Sequence, residues 1–186
     1  MTPGHLGRLT SAAFVALWVL GSGLSPSASL SAAVRPPKLQ YEMLSLSNGM
    51  TVVLSEDHST PIVHLQMWYH VGSKNEKSGR TGFAHLFEHM MFKGSQNVEP
   101  EAHTSIVSSV GGQSNAYTTD DETVFWETVP SQYLPMALWL EADRMATLRI
   151  DRATFVNERE IVKEERRMRI DNQPYGRLSE IIYDQA

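Results

Sequence analysis

The chain has 186 residues, 41% of them hydrophobic, enough for one ordinary globular core. A formal net charge of −5, with no dense basic stripe, argues against nucleic acid as the main partner. There is no cysteine, which excludes disulfides and thiolate metal sites, so any metal would have to be held by His, Asp or Glu.

Residues 1–33 differ in character from the rest. His5 and Arg8 precede the apolar run Ala12–Leu20, and small residues follow from Gly21 to Ala33. This is the pattern of a secretory signal peptide, with Ser31-Ala32-Ala33 or a position near Ser29 suited to cleavage. The run is shorter than the roughly 20 apolar residues of a membrane-spanning helix. An exported protein, periplasmic or secreted, is expected, tethered to a membrane only if this segment is retained. Residues 34–40, with two prolines, read as a linker, and 41–186 as the folded part.

Asn48-Gly49 predicts a hairpin turn between Tyr41–Ser47 and Met50–Leu54. Pro61 opens a strand over Ile62–His70, in which His64, Gln66, Trp68 and His70 share one face and Val63, Leu65, Met67 and Tyr69 the other. After a polar loop, Phe83–Phe92 reads as a helix stopped by Lys93-Gly94, and Glu99–Val110 as a second stopped by Gly111-Gly112. Gln113–Thr118 and Glu122–Val129 flank Thr119-Asp120-Asp121 as a second hairpin. Apolar residues at helical spacing continue from Ser131 to about Leu148, and Asp151 is placed to cap a helix reaching about Ile170. Asn172–Gly176 interrupts it, and a last helical stretch starts near Arg177. The expected fold is α+β, a mainly antiparallel sheet packed with helices. A helical stretch running to Ala186 without a closing turn suggests a domain incomplete at its C-terminus.

In His85-Leu86-Phe87-Glu88-His89 the polar residues stand at i, i+3 and i+4, which places them on one helix face. Two imidazoles four apart can both reach one zinc ion, and Glu88 beside them can take the proton of a water held there. Five residues also match such a pattern by chance, on a helix whose histidines merely cap or pack, so a third ligand decides the matter.

The glutamates that follow are separated by helical phase. Phe155, Glu158, Ile161, Val162, Glu165 and Met168 fall on one stripe; Glu160, Lys163, Glu164 and Arg167 fall outward. A carboxylate on an apolar stripe is costly unless paired or metal-bound, which singles out Glu158 and Glu165. Seven residues separate them, about 10.5 Å along the axis, so one is expected to be a ligand and the other a supporting group.

These features resemble the pitrilysin/insulinase family of zinc peptidases, which includes the mitochondrial processing peptidases. That family carries an inverted His-x-x-Glu-His motif and a distant glutamate ligand about 76 residues on; Glu165 stands that far beyond His89. The resemblance runs from about Tyr41 to Tyr175. It includes Asn48-Gly49, Gly72-Ser73 with Glu76, Phe92-Lys93-Gly94, and Gly111-Gly112 leading to Asn115-Ala116. It implies one Zn2+ held by His85, His89 and Glu165, Glu88 as general base, and Glu158 orienting a ligating histidine. It also implies a peptide substrate pairing with the strand around Asn115 and Ala116. On the residues alone, Asn115 could equally satisfy local backbone, and Tyr117, Phe125 and Trp126 read as core or rim packing. His58, His64, His70 and His103 read as surface or strand histidines. Members of the family combine at least two homologous domains, so a homologous partner domain or subunit is expected and little activity from this chain alone. The competing readings are a non-catalytic zinc-binding or substrate-positioning subunit, and an unrelated metal hydrolase.

Overall fold

A computed structural model describes residues 38–185. The expected signal peptide and the first part of the linker lie outside them; Lys38, Leu39 and Gln40 carry no regular structure. Among the described residues no helix is long and apolar enough to cross a membrane.

The described chain divides into two compact units at residues 56 and 57. The first is a hairpin. Strand β1 (Glu42–Ser45) pairs antiparallel with β2 (Thr51–Leu54), Ser45 standing opposite Thr51. The Asn48-Gly49 turn forms for the reasons its sequence suggests. Gly49 takes the left-handed backbone (φ +88°) that costs glycine least, and Asn48 Oδ1 accepts from the Met50 amide.

The second unit is built on a three-stranded antiparallel sheet in the order β3 (Ile62–Tyr69), β5 (Thr123–Pro130), β4 (Gln113–Thr118). Gln66 and Asn115 both face Trp126 across the ladder. The predicted alternation of β3 holds, with Val63, Leu65, Met67 and Tyr69 half-buried and their neighbours exposed. The exposed side chains form a polar ladder: Trp68 donates to Gln66, which meets His64, which meets the Thr128 hydroxyl at 2.8 Å.

Helices α1 (Phe83–Met90), α2 (Ala102–Ser109) and α3 (Leu134–Thr147) pack on the sheet. The core joins Val107 of α2, Val129 of β5, and Ala137 and Leu140 of α3, all at most 1% exposed. Helix α4 (Arg152–Arg166) packs on α1 and passes through a π-turn at Arg167–Asp171; α5 (Leu178–Gln185) follows. Asp151 caps α4 by accepting from the Thr154 amide, as its sequence position predicts. The architecture is thus α+β, a mainly antiparallel sheet with helices.

The clearest departures from expectation are two helix boundaries and one helix face. Helix α1 closes at Met90, two residues early, because Phe92 and Lys93 bond back to His89 and Met90 in tighter turns before Gly94 (φ +95°). Helix α2 starts at Ala102 because Glu101 takes a left-handed backbone (φ +63°) that breaks helical phase after Pro100. On α4 and the π-turn after it, Ile161 and Met168 are 39% and 52% exposed, so the covered stripe is narrower than predicted and runs through Phe155, Glu158, Val162 and Glu165.

A loop fixes the entry to α1. Gly72 lies against the β4–β5 turn so closely that a Cβ there would meet the Thr119 carbonyl oxygen at 2.4 Å. The close approach lets Ser73 and Lys74 donate their amides to Thr119 and Asp120. Glu76, held by this loop, accepts from the amides of Gly82 and Ala84 at 2.7 Å each, satisfying donors that a helix start otherwise leaves open.

Candidate metal centre

Helix α1 presents His85, Glu88 and His89 toward α4 and the end of β4. His85 Nε2 and His89 Nε2 lie 3.2 Å apart. Each also lies 3.6 Å from a different oxygen of Glu165, His85 from Oε2 and His89 from Oε1. A tetrahedral ion with bonds of about 2.0–2.1 Å would hold its donor atoms about 3.4 Å apart. The three separations bracket that value, and a His-His-carboxylate set suits zinc, so these residues fit the ion that the family resemblance implies. All three side chains are partly covered, at 32%, 19% and 21% exposure, leaving the site open on one side.

Glu158 is 2% exposed and reaches the opposite edge of His89, with Oε2 3.4 Å from Nδ1. It cannot join the first set because α4 sets it two turns before Glu165. Lys93 Nζ, 3.2 Å from Glu158 Oε1, balances its charge. Burial works against the Lys93 ammonium, but its bonds to Glu101 and Glu158 outweigh that and raise its pKa. Glu88 accepts from the Thr118 hydroxyl at 2.5 Å, a contact no sequence pattern announced. Asn115 and Ala116 lie on β4, whose far edge pairs with no strand among the described residues. The Asn115 carboxamide accepts from the Ala116 amide, which is the local satisfaction that the residue type alone allowed. Both line a cleft of about 910 Å³ together with His85, Glu88, His89 and Glu165. Glu164 points away and accepts from Arg167 at 2.7 Å. Of the packing aromatics, Phe125 is in the core at 2% exposure and Tyr117 lines the cleft.

His103 departs from its sequence reading. It is not a surface residue but 4% exposed, bonded to Glu127 of β5, beside Glu141 and Arg144 of α3. Its donor atom and those of Glu127 and Glu141 all lie within 4.8 Å of one another. Each acid nevertheless has its own partner: His103 for Glu127, and the Arg144 guanidinium for Glu141, so the four form a buried polar group. The Arg144 guanidinium carbon stands 4.5 Å over the Phe125 ring centroid. Two local signals pointed there, the strand parity of Glu127 with Phe125 and Val129, and the i,i+3 pair Glu141–Arg144.

Burial pushes Glu141 up to about 7, against the pull of Arg144 and with help from neighbouring Glu127. A carboxyl raised above its ordinary 4.5 binds its proton more tightly folded than unfolded, so stability should fall as pH rises from about 4.5 to about 7. Urea midpoints at pH 5 and pH 7 check this. The drop should be smaller in Glu141→Gln, and an unchanged drop would assign it elsewhere.

Residues 51–185 match the family model for insulinase, peptidase family M16. The chain is 37% identical over 172 residues to a zinc protease, PqqE, of Helicobacter pylori, covering 92% of this chain and 37% of that protein. It is 29% identical over 143 residues to the mitochondrial-processing peptidase subunit beta of Lentinula edodes, covering 77% of this chain and 30% of the other. The crystal structure of a protease from Helicobacter pylori superposes with a TM-score of 0.72 at 37% identity, over 74% of this chain and 33% of that one. The chain thus spans about a third of the length of these relatives. With this fold, and a match over most of its length, the chain belongs to the insulinase family of peptidases, M16.

Proposed function

We propose that this chain carries the metal centre and general base of a zinc-dependent endopeptidase that cuts unfolded peptides in concert with a homologous partner domain or subunit. The observation that carries the reading is the convergence of His85 Nε2, His89 Nε2 and the Glu165 carboxylate at tetrahedral spacing. Zinc bound there supplies a Lewis acid that brings the pKa of water toward neutrality and polarises the scissile carbonyl. Thr118 holds Glu88 Oε2, so Oε1 takes the proton and later returns it to the leaving amine. Glu158 fixes the ring of His89 through Nδ1. The edge of β4 that pairs with no strand among the described residues offers backbone groups at Asn115 and Ala116 to an extended peptide. The relative named as subunit beta of a processing peptidase is consistent with a paired partner. The N-terminal segment supports export to the periplasm or beyond.

The test measures zinc content and cleavage of an unfolded, fluorogenic peptide, with the chain alone and with its partner half. About one zinc per chain is expected, with cleavage that needs the partner and stops on chelation. A chain that binds no zinc would overturn the metal centre. Zinc without cleavage, partner present, would leave a substrate-positioning subunit instead.

A further inference from the structure

The cleft over the metal centre has two unlike walls. One is β4, with Asn115, Ala116 and Tyr117; the other is α4 with the π-turn that follows it, which together present Arg159, Lys163, Arg166 and Arg169. Four cations on one wall are unexpected in a chain of net charge −5. Their side chains remain 46%, 52%, 48% and 74% exposed. Arg166 is committed to a fork on Glu180 of α5, and Arg169 lies 3.5 Å from Glu165 Oε2. Arg159 and Lys163, the latter lining the cleft although helical phase placed it outward with Glu160, are different: both bond to the same oxygen, Oε1 of Glu160, at 2.8 Å and 3.0 Å. Two cations on one carboxylate leave a net positive charge facing the cleft.

From this wall we infer that the peptidase prefers peptides with an acidic side chain close to the bond it cuts, and that Arg159 and Lys163 receive that carboxylate. The inference rests on the peptidase reading above. Exposed ion pairs are worth little, so an incoming carboxylate can compete with Glu160 for both cations. The helix also sets the distance. Arg159 precedes Glu165 by six residues, about 9 Å along the axis. An extended peptide advances about 3.3 Å per residue, which puts the acidic side chain two or three residues from the scissile bond. A basic side chain at the same place would meet like charge.

The test uses the zinc-loaded protein with its partner half and a set of peptides differing only in Glu, Gln or Lys two or three residues to either side of the cut. The Glu peptide should exceed the Lys peptide by about three- to tenfold in kcat/KM, the range that one or two exposed charge contacts supply. The difference should shrink in high salt and in Arg159→Gln with Lys163→Gln, whose zinc content should match the parent's. Fluorescence anisotropy of the same peptides on Glu88→Gln reads the preference without hydrolysis. Cleavage with no preference among the three peptides, or a preference untouched by the double substitution, overturns the inference. A binding preference for Glu that the double substitution removes, in a parent that cuts no peptide, upholds the subsite and defeats the peptidase reading instead.

Discussion

A Glu88→Gln protein is expected to keep its zinc and lose between about a hundredfold and ten-thousandfold of its peptide hydrolysis, the range that a positioned proton carrier contributes. Glutamine keeps the shape of the side chain and can still accept from the Thr118 hydroxyl at the position where Glu88 Oε2 now does. It cannot take a proton. Because Glu88 is not one of the three converging donors, the pocket formed by His85, His89 and Glu165 should survive the change. The measurement pairs metal analysis with single-turnover cleavage, partner half present. Retained zinc with lost cleavage fits a proton carrier. Cleavage at the parent rate would remove Glu88 from the mechanism, and zinc loss would mean that it supports the metal instead.

How much of this was legible in the sequence depends on how far apart the interacting residues lie. Turns and caps are local: Asn48-Gly49 and Asp151 act on backbone groups within three residues, and both formed as their types demand. The face shared by His85, Glu88 and His89 is local too, since one helix turn suffices to align it. The phase of α4 was readable for Glu158 and Glu165, yet it overreached at Ile161 and Met168. Periodicity gives the direction of a face, whereas its width depends on how much of α1 leans against it. Glu101 illustrates the opposite failure. A proline and two acids suggest a helix start, but the left-handed turn at Glu101 comes with its amide bonding to the Phe92 carbonyl, a distant contact. The buried group of His103, Glu127, Glu141 and Arg144 joins α2, β5 and α3. No single segment contains the reason that an isolated histidine is buried.

The choice between neighbouring glutamates gives a sharper test of the same geometry. Glu165→Gln should weaken zinc binding by more than the roughly 10- to 100-fold typical of losing a supporting contact, because it replaces a charged donor in the converging set with a poor neutral one. Glu164→Gln should leave zinc affinity close to that of the parent. One residue of helix is 100° of rotation, enough to turn Glu164 out to Arg167 while Glu165 stays with the histidines. The two substitutions remove the same charge from adjacent positions, so a general electrostatic effect on a cation would appear in both. Competition against a chromophoric chelator measures each affinity. Equal weakening would show that charge near α4, rather than a carboxylate at the ligand position, governs the metal; weakening confined to Glu165 ties it to the face that α4 turns toward α1.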